Sequence, residues 1–392
     1  MLNERSKRKA MSETPALRWL VPFVSAALLT MVWTNSFAKD NKGHGNDKVI
    51  SYRQINLVSD LPGVALLQDT NLVNAWGVSF SPTSPFWVSA NGTGKATLYS
   101  VTNDASGSPQ VTKRSLEVSI PGEGNPTGQV FNNTTNFHGD LFIFVSEDGT
   151  ISGWRNTLGT SAEVLTTRPT ALYKGVTLVP TAGGPVLLAA NFSEGTVDAY
   201  DGDLKLIGQL SDSRAPAGYA PFNVQSIEGL IFVTFAKQDA DKHDDVPGPG
   251  HGLIDVLDLK RQRFHRFVTG SDAGGRLQAI DSPWGVALAP GRFGKHSDVL
   301  LVGNFGSGTI MAFNEHGGFE GFLESRPGEP VVIGGLWALT PGNGGSAGVH
   351  GTLYFTAGPD GESHGLFGSL EPVRGHERHD DDDDDGDHGH KR

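Results

Sequence analysis

Residues Ser282–Phe313 read SPWGVALAPGRFGKHSDVLLVGNFGSGTIMAF. A small residue leads into Trp-Gly-Val, a short apolar run follows, and a polar turn interrupts it. A second apolar run stops at Asn304, glycines turn the chain, and a third run ends on the aromatic Phe313. Short apolar runs bounded by glycine, proline and asparagine read as strands buried on both faces. Residues Asn74–Val101, NAWGVSFSPTSPFWVSANGTGKATLYSV, follow the same plan.

Weaker copies begin at Pro126, Tyr173, Ala220 and Gly335. The equivalent positions Gly77, Gly128, Gly175, Asn223, Gly285 and Ala338 lie 51, 47, 48, 62 and 53 residues apart. Each interval also has room for a fourth strand, such as Leu116–Ile120, Leu204–Leu210 or Phe264–Val268. Four antiparallel strands recurring every ~40–50 residues mark the blade of a propeller. The fold expected is therefore all-β, a six-bladed β-propeller. The sixth copy runs out of strands after Phe367-Gly368-Ser369, while Ile50–Val58, ISYRQINLV, alternates like a strand with no partner. This N-terminal strand is expected to complete blade six and close the ring, removing its exposed edges. Trp76, Trp284 and Trp337 are expected to wedge between blades, and the glycines beside them to let the inner strands crowd the axis.

Composition agrees. The 392 residues include 52 glycines and 22 prolines, and only 19% are charged, which suits many turns between short strands. A 37% apolar content is enough for a core and excludes a disordered chain. The first 38 residues are set apart by Arg5, Lys7, Arg8, Lys9 and Arg18, an apolar run from Trp19 to Trp33, and Ser36-Phe37-Ala38. That order is a secretory signal, with cleavage expected after Ala38. The run contains Pro22 and is short for a bilayer of about 30 Å, so no membrane span is expected in the mature chain. Removing the leader takes the net charge from −12 to −15, which excludes a basic nucleic-acid footprint. There is no cysteine, so an exported fold must hold without disulfides. The expected organisation is a signal at 1–38, a linker at 39–49, the propeller at 50–373 and a disordered Asp/His tail at 374–392, in a monomer that is periplasmic or secreted.

The pattern Trp-Gly-Val, strand, Asn-x-x-x-Gly-Thr-Ile/Val, aromatic resembles NHL-type repeats. Residues from about 50 to 370 resemble a family of exported bacterial six-bladed propellers with no assigned activity. The lines carrying the resemblance are NLVSDLPGVALLQDTNLVNAWGVSFSPTSPFWVSANGTG from Asn56, AKQDADKHDDVPGPGHGLIDVLDL from Ala236, and SPWGVALAPGRFGKHSDVLLVGNFGSGTI from Ser282. Some members of that family end in a PEP-CTERM sorting tail. This chain departs from them, ending HERHDDDDDDGDHGHKR with no apolar helix. The resemblance implies the fold and export, and no chemistry.

Loops joining second to third strands share a face with the starts of the inner strands, and loops on a rigid scaffold carry sites. Asn74, Asn91, Asn191, Asn223 and Asn304 are expected at that face, either closing turns on their own backbone or offering amides to a ligand. The stretch Ala236–Gly252 belongs there too. Its Asp239, Asp241, Asp244 and Asp245 are hard oxygen donors at near-alternate spacing, suited to Ca²⁺, and His243 could favour a transition metal. An exposed acidic loop without metal is the plainer alternative. The loop lacks the glycine and glutamate of an EF-hand, and no zinc-protease pair or phosphate loop occurs anywhere. Two functions stay open. One is a binding module for a protein, glycan or small ligand at the loop face. The other is a calcium-dependent lactonase- or lyase-like enzyme, which needs carboxylates in the axial mouth. The inner-strand starts carry Asn74, Gly128, Gly175, Asn223 and Trp284 and no acid, which favours binding.

Overall fold

A computed structural model describes residues 49–269 and 280–374. The expected leader, most of the linker and the tail from Gly375 lie outside the described residues. Among the described residues there is no α-helix, only strands and short 3-10 turns. Four-stranded sheets run in order through 75–119, 126–167, 173–210, 219–269 and 283–322. The sixth sheet combines Leu336–Pro341, Leu353–Ala357 and Leu366–Arg374 with the N-terminal strand Val49–Ser59. This is a six-bladed β-propeller. Val49–Ser59 pairs antiparallel with Leu366–Arg374, Tyr52 opposite Pro372 and Ser59 opposite Leu366, and so closes the ring. A short hairpin, Glu324–Arg326 with Glu329–Pro330, precedes blade six and was not foreseen in the sequence.

The continuous apolar runs have a direct cause. A middle strand such as Leu300–Asn304 or Phe86–Ala90 is buried at every residue, because a neighbouring blade covers each face of its sheet. Outer strands such as Glu163–Thr167 reach solvent, with no residue of this one fully buried. Six apolar clusters follow, one at each blade-to-blade contact. Trp87 and Leu98 meet Phe142 and Phe144 between blades one and two, and Leu57 and Phe367 meet Phe86 and Tyr99 across the closure. Burying one such large side chain stabilises by about 1.5–3 kcal/mol. A single blade would leave both faces wet, so the ring stands as a whole.

Near the axis the inner strands crowd. A Cβ on Gly128 would lie 2.8 Å from the Gly175 Cα, which only glycine tolerates. Where blade four has no glycine, the Asn223 amide instead donates to the Trp284 carbonyl at 2.8 Å. The tryptophans do not wedge between blades as expected. Trp76 and Trp337 stack at 3.6 Å, and Trp284 meets them edge-on at 6.5 and 6.0 Å. Each directly precedes the crowded position of its strand, so their nearest apolar neighbours are one another. With Phe222 and Phe305 they form a seventh cluster, on the axis.

Candidate functional site

A polar network contacts this aromatic layer at the starts of the inner strands. Its centre is Lys174, at the start of the blade-three strand Tyr173–Thr181 and 2% exposed. The ammonium lies 2.6 Å from Glu147 Oε1, 3.4 Å from Asp244 Oδ1 and 5.1 Å from the centre of the Trp76 ring. Glu147 follows the second strand of blade two, Asp244 lies in the long loop of blade four, and Glu362 lies in the corresponding turn of blade six. Asn91 donates to Glu147 Oε2 at 3.2 Å. Asn74 donates to Asn91 Oδ1 at 3.2 Å and to Glu362 Oε2 at 2.7 Å, and accepts from the Trp337 indole at 2.8 Å. The Trp284 indole donates to the Lys174 carbonyl at 3.1 Å. Blades one, two, three, four and six all contribute side chains to this axial mouth.

The charges support one another. Burial alone would strip the Lys174 proton, but Glu147, Asp244 and Glu362 outweigh it and hold the ammonium above its ordinary range. Burial works against the Asp244 charge as well, yet Lys174 and His243 keep that carboxyl below its usual range. At Glu362 burial wins and raises the carboxyl, against the pull of Asn74 and Lys174. Below the rim, burial pushes Asp245 up to about 6.

Of the asparagines foreseen in the sequence, Asn74 and Asn91 join the network. Asn191 and Asn304 are bound within their own blades: Asn191 donates to Glu194 and Asp198, and Asn304 accepts the Asp281 N–H at 3.0 Å. Asn223 lines a separate axial cavity of about 50 Å³, with Gln129, Gln225 and Thr340, room for water and too small for an organic ligand. The five loop residues foreseen as candidate metal ligands do not converge as one set; of them only His243 and Asp244 come together. Asp239 accepts the His243 N–H at 2.9 Å and closes the loop on itself, Asp241 is exposed, and Asp245 is turned into the structure. Backbone bonds from Asp239 to the Asp244 carbonyl and from Val246 to the Lys237 carbonyl, both 2.8 Å, fold the loop down. The charge cluster therefore does not splay. It delivers Asp244 and His243, themselves 2.9 Å apart, to the mouth.

There they meet Glu147. One ligand atom from each of Glu147, His243 and Asp244 lies within 4.8 Å of the others. The trio has the donor chemistry of a metal site, but the Lys174 ammonium already contacts both of its carboxylates, so the residues present fit a metal poorly. Glu147, Asp244 and Glu362 nonetheless bring carboxylates to the mouth. The inner-strand starts are indeed free of them, and the carboxylates arrive from turns instead.

Glu147, Lys174 and Glu362 were missed in the sequence. One signal was available. The residue before the crowded position is Trp76, Thr127, Lys174, Phe222, Trp284 or Trp337 in the six copies, and a lysine breaks an otherwise uncharged series.

No family model matches the chain. It is 27% identical over 353 residues to an uncharacterized protein of Acanthamoeba polyphaga mimivirus, covering 83% of this chain and 82% of that one. A second uncharacterized mimivirus protein is 26% identical over 351 residues, covering 83% and 87%. These relatives are viral, so the bacterial setting implied by the resemblance gains no support from them. Among solved structures, a streptogramin B lyase is similar at TM-score 0.46 and 9% identity, over 83% of this chain and 98% of that one. An auxiliary nutrient binding protein from Bacteroides thetaiotaomicron is similar at TM-score 0.47 and 12% identity, over 76% and 69%. Likeness this distant carries nothing about activity. Among the described residues no helix is long and apolar enough to cross a membrane.

Proposed function

We propose that the chain is an exported recognition module that binds a ligand rich in hydrogen-bond donors at the axial mouth. The observation that carries this reading is the surplus of acceptors around Lys174. Glu147, Asp244 and Glu362 set three carboxylates against one ammonium. Among the described residues, the second oxygen of Asp244 and the first of Glu362 take no hydrogen bond. Sugar hydroxyls, or the ammonium and guanidinium ends of protein side chains, match that surplus, whereas an anion would be repelled. The buried tryptophans offer no stacking face, so recognition is polar. Export rests on the basic, apolar and small-residue order of the first 38 residues.

The test is a panel of neutral sugars, basic peptides and acidic peptides, followed by tryptophan fluorescence, since Trp76 lies directly under Lys174. Donor-rich ligands should bind and Glu362→Gln should weaken them roughly tenfold. Binding confined to acidic peptides would end this reading. Mass analysis of the mature N terminus, expected at Lys39, tests export. A metal-dependent lactonase- or lyase-like enzyme is the second reading, and the observation behind it is the Glu147, His243 and Asp244 trio.

A further inference from the structure

In five copies of the repeat, the residue before the crowded inner-strand position is uncharged; in the third it is Lys174. Its strand register brings the lysine to the position from which four of the five sister blades deliver indole or phenyl rings to the axial cluster. Taking an ammonium out of water costs several kcal/mol unless close charges compensate it. The compensation comes from two other blades, Glu147 of blade two at 2.6 Å and Asp244 of blade four at 3.4 Å. These are two of the three residues that could grip a metal ion, their ligand atoms lying within 4.8 Å of each other and of His243. A divalent ion bound to oxygen at about 2.0–2.6 Å would need the space beside Glu147 Oε1 and Asp244 Oδ1 that the ammonium now fills.

We propose that Lys174 is a tethered cation, standing in the place a divalent ion would take, so that the mouth is held together without metal and a metal site is latent beneath it. Three consequences follow from the geometry. The ammonium screens Glu147 from Asp244, whose ligand atoms lie within 4.8 Å of each other. It does so permanently, because a side chain cannot be chelated away. And it makes the order of the blade-four loop independent of divalent ions, since Asp244 is anchored by the protein itself. The proposal holds whichever ligand the mouth takes, and it contradicts the metal-dependent reading directly.

The experiment is thermal unfolding of the mature chain after chelation, with and without millimolar Ca²⁺ or Mn²⁺. The wild-type Tm should not respond to either ion. Lys174→Met should lower the Tm by several degrees in chelator, because like charges are left unscreened, and added ion should restore much of the loss by binding only the folded state. Glu147→Gln placed on top of Lys174→Met should abolish that restoration, whereas Lys174→Arg should behave as wild type toward ions. Should Lys174→Met not fold in chelator, folding rescued by ion, or by the added Glu147→Gln, supports the proposal equally. A wild-type Tm that rises with ion as far as the Met variant's would overturn it. So would a Met variant that neither ion nor Glu147→Gln restores. Ligand binding by the wild type in chelator is scored separately, so the recognition reading can fail while the tethered cation stands.

Discussion

The turns that end the second strands of blade three and blade one both begin with asparagine, at Asn191 and Asn91. In blade three the side chain turns home. Asn191 accepts from the Leu172 N–H at 3.2 Å and donates to Glu194 and Asp198 at 3.1 and 3.0 Å, all within its own blade. In blade one the same residue type leaves its blade, reaching Glu147 in blade two while Asn74 donates to it. The repeat puts both amides at one register. What separates them is the neighbour: blade three supplies Asp198, which Arg168 also holds at 2.9 Å, and blade one supplies no such partner. The walls of the propeller repeat; the mouth is assembled from what the repeat leaves unpaired.

That contrast can be broken at several points. The largest effect should come from the wall. Deleting residues 49–59 removes Tyr52, Leu57 and Val58 from two apolar clusters and exposes the edge of blade six, so size-exclusion chromatography should show aggregate in place of the parent's peak. A truncated chain that elutes and melts like the parent would refute the closure. Next, Asn191→Ala strands the buried Leu172 N–H and takes one of several donors from Asp198, and should cost about 2 kcal/mol in a urea titration. Asn91→Ala loosens the mouth alone. It should cost about 1 kcal/mol or less while weakening ligand capture, and equal losses for the two asparagines would erase the distinction.

The smallest effect concerns pH. Burial raises Asp245 to about 6 from an unfolded value of about 3.9, so the folded chain holds this proton more tightly. The group therefore favours folding below about pH 4, and that contribution is lost as pH rises through 6. Asp255, buried in blade four and raised to about 6 by burial against the pull of Arg266, acts in the same direction. Asp245→Asn should flatten the Tm profile between about pH 4 and 6 and leave the protein at least as stable at pH 7. A Tm that falls at pH 7 would show that the ionised carboxylate does structural work.

Why the walls were legible and the mouth was not is visible in single residues. Leu300–Asn304 announces a strand buried on both faces by its own composition, and Ile50–Val58 announces a missing partner by its alternation. Such signals are local. The Glu362 contact with Asn74 joins residues 288 apart, and Lys174 meets Asp244 across 70. These pairs exist only once the ring has closed and the turns have taken their lengths. Glu147, within SEDGT, reads as an ordinary turn acid, and nothing near it forecasts a lysine from the next blade. The Asp/His loop misled in the opposite sense. Its density of charge suggested a self-contained ligand set, whereas its backbone bonds spend Asp239 on the loop itself and send Asp244 elsewhere.

Ring closure also sets how the molecule answers to a pull. Val49 lies opposite Arg374, and the two strands run antiparallel from there, so both ends of the described chain leave blade six at one corner. Tension applied between those ends would load the first hydrogen bond, then the next, as a zipper opens, rather than shearing the whole row at once. The clasp that resists heat as part of a closed ring would then be the mechanically soft seam, and an optical trap should see blade six open first, at low force.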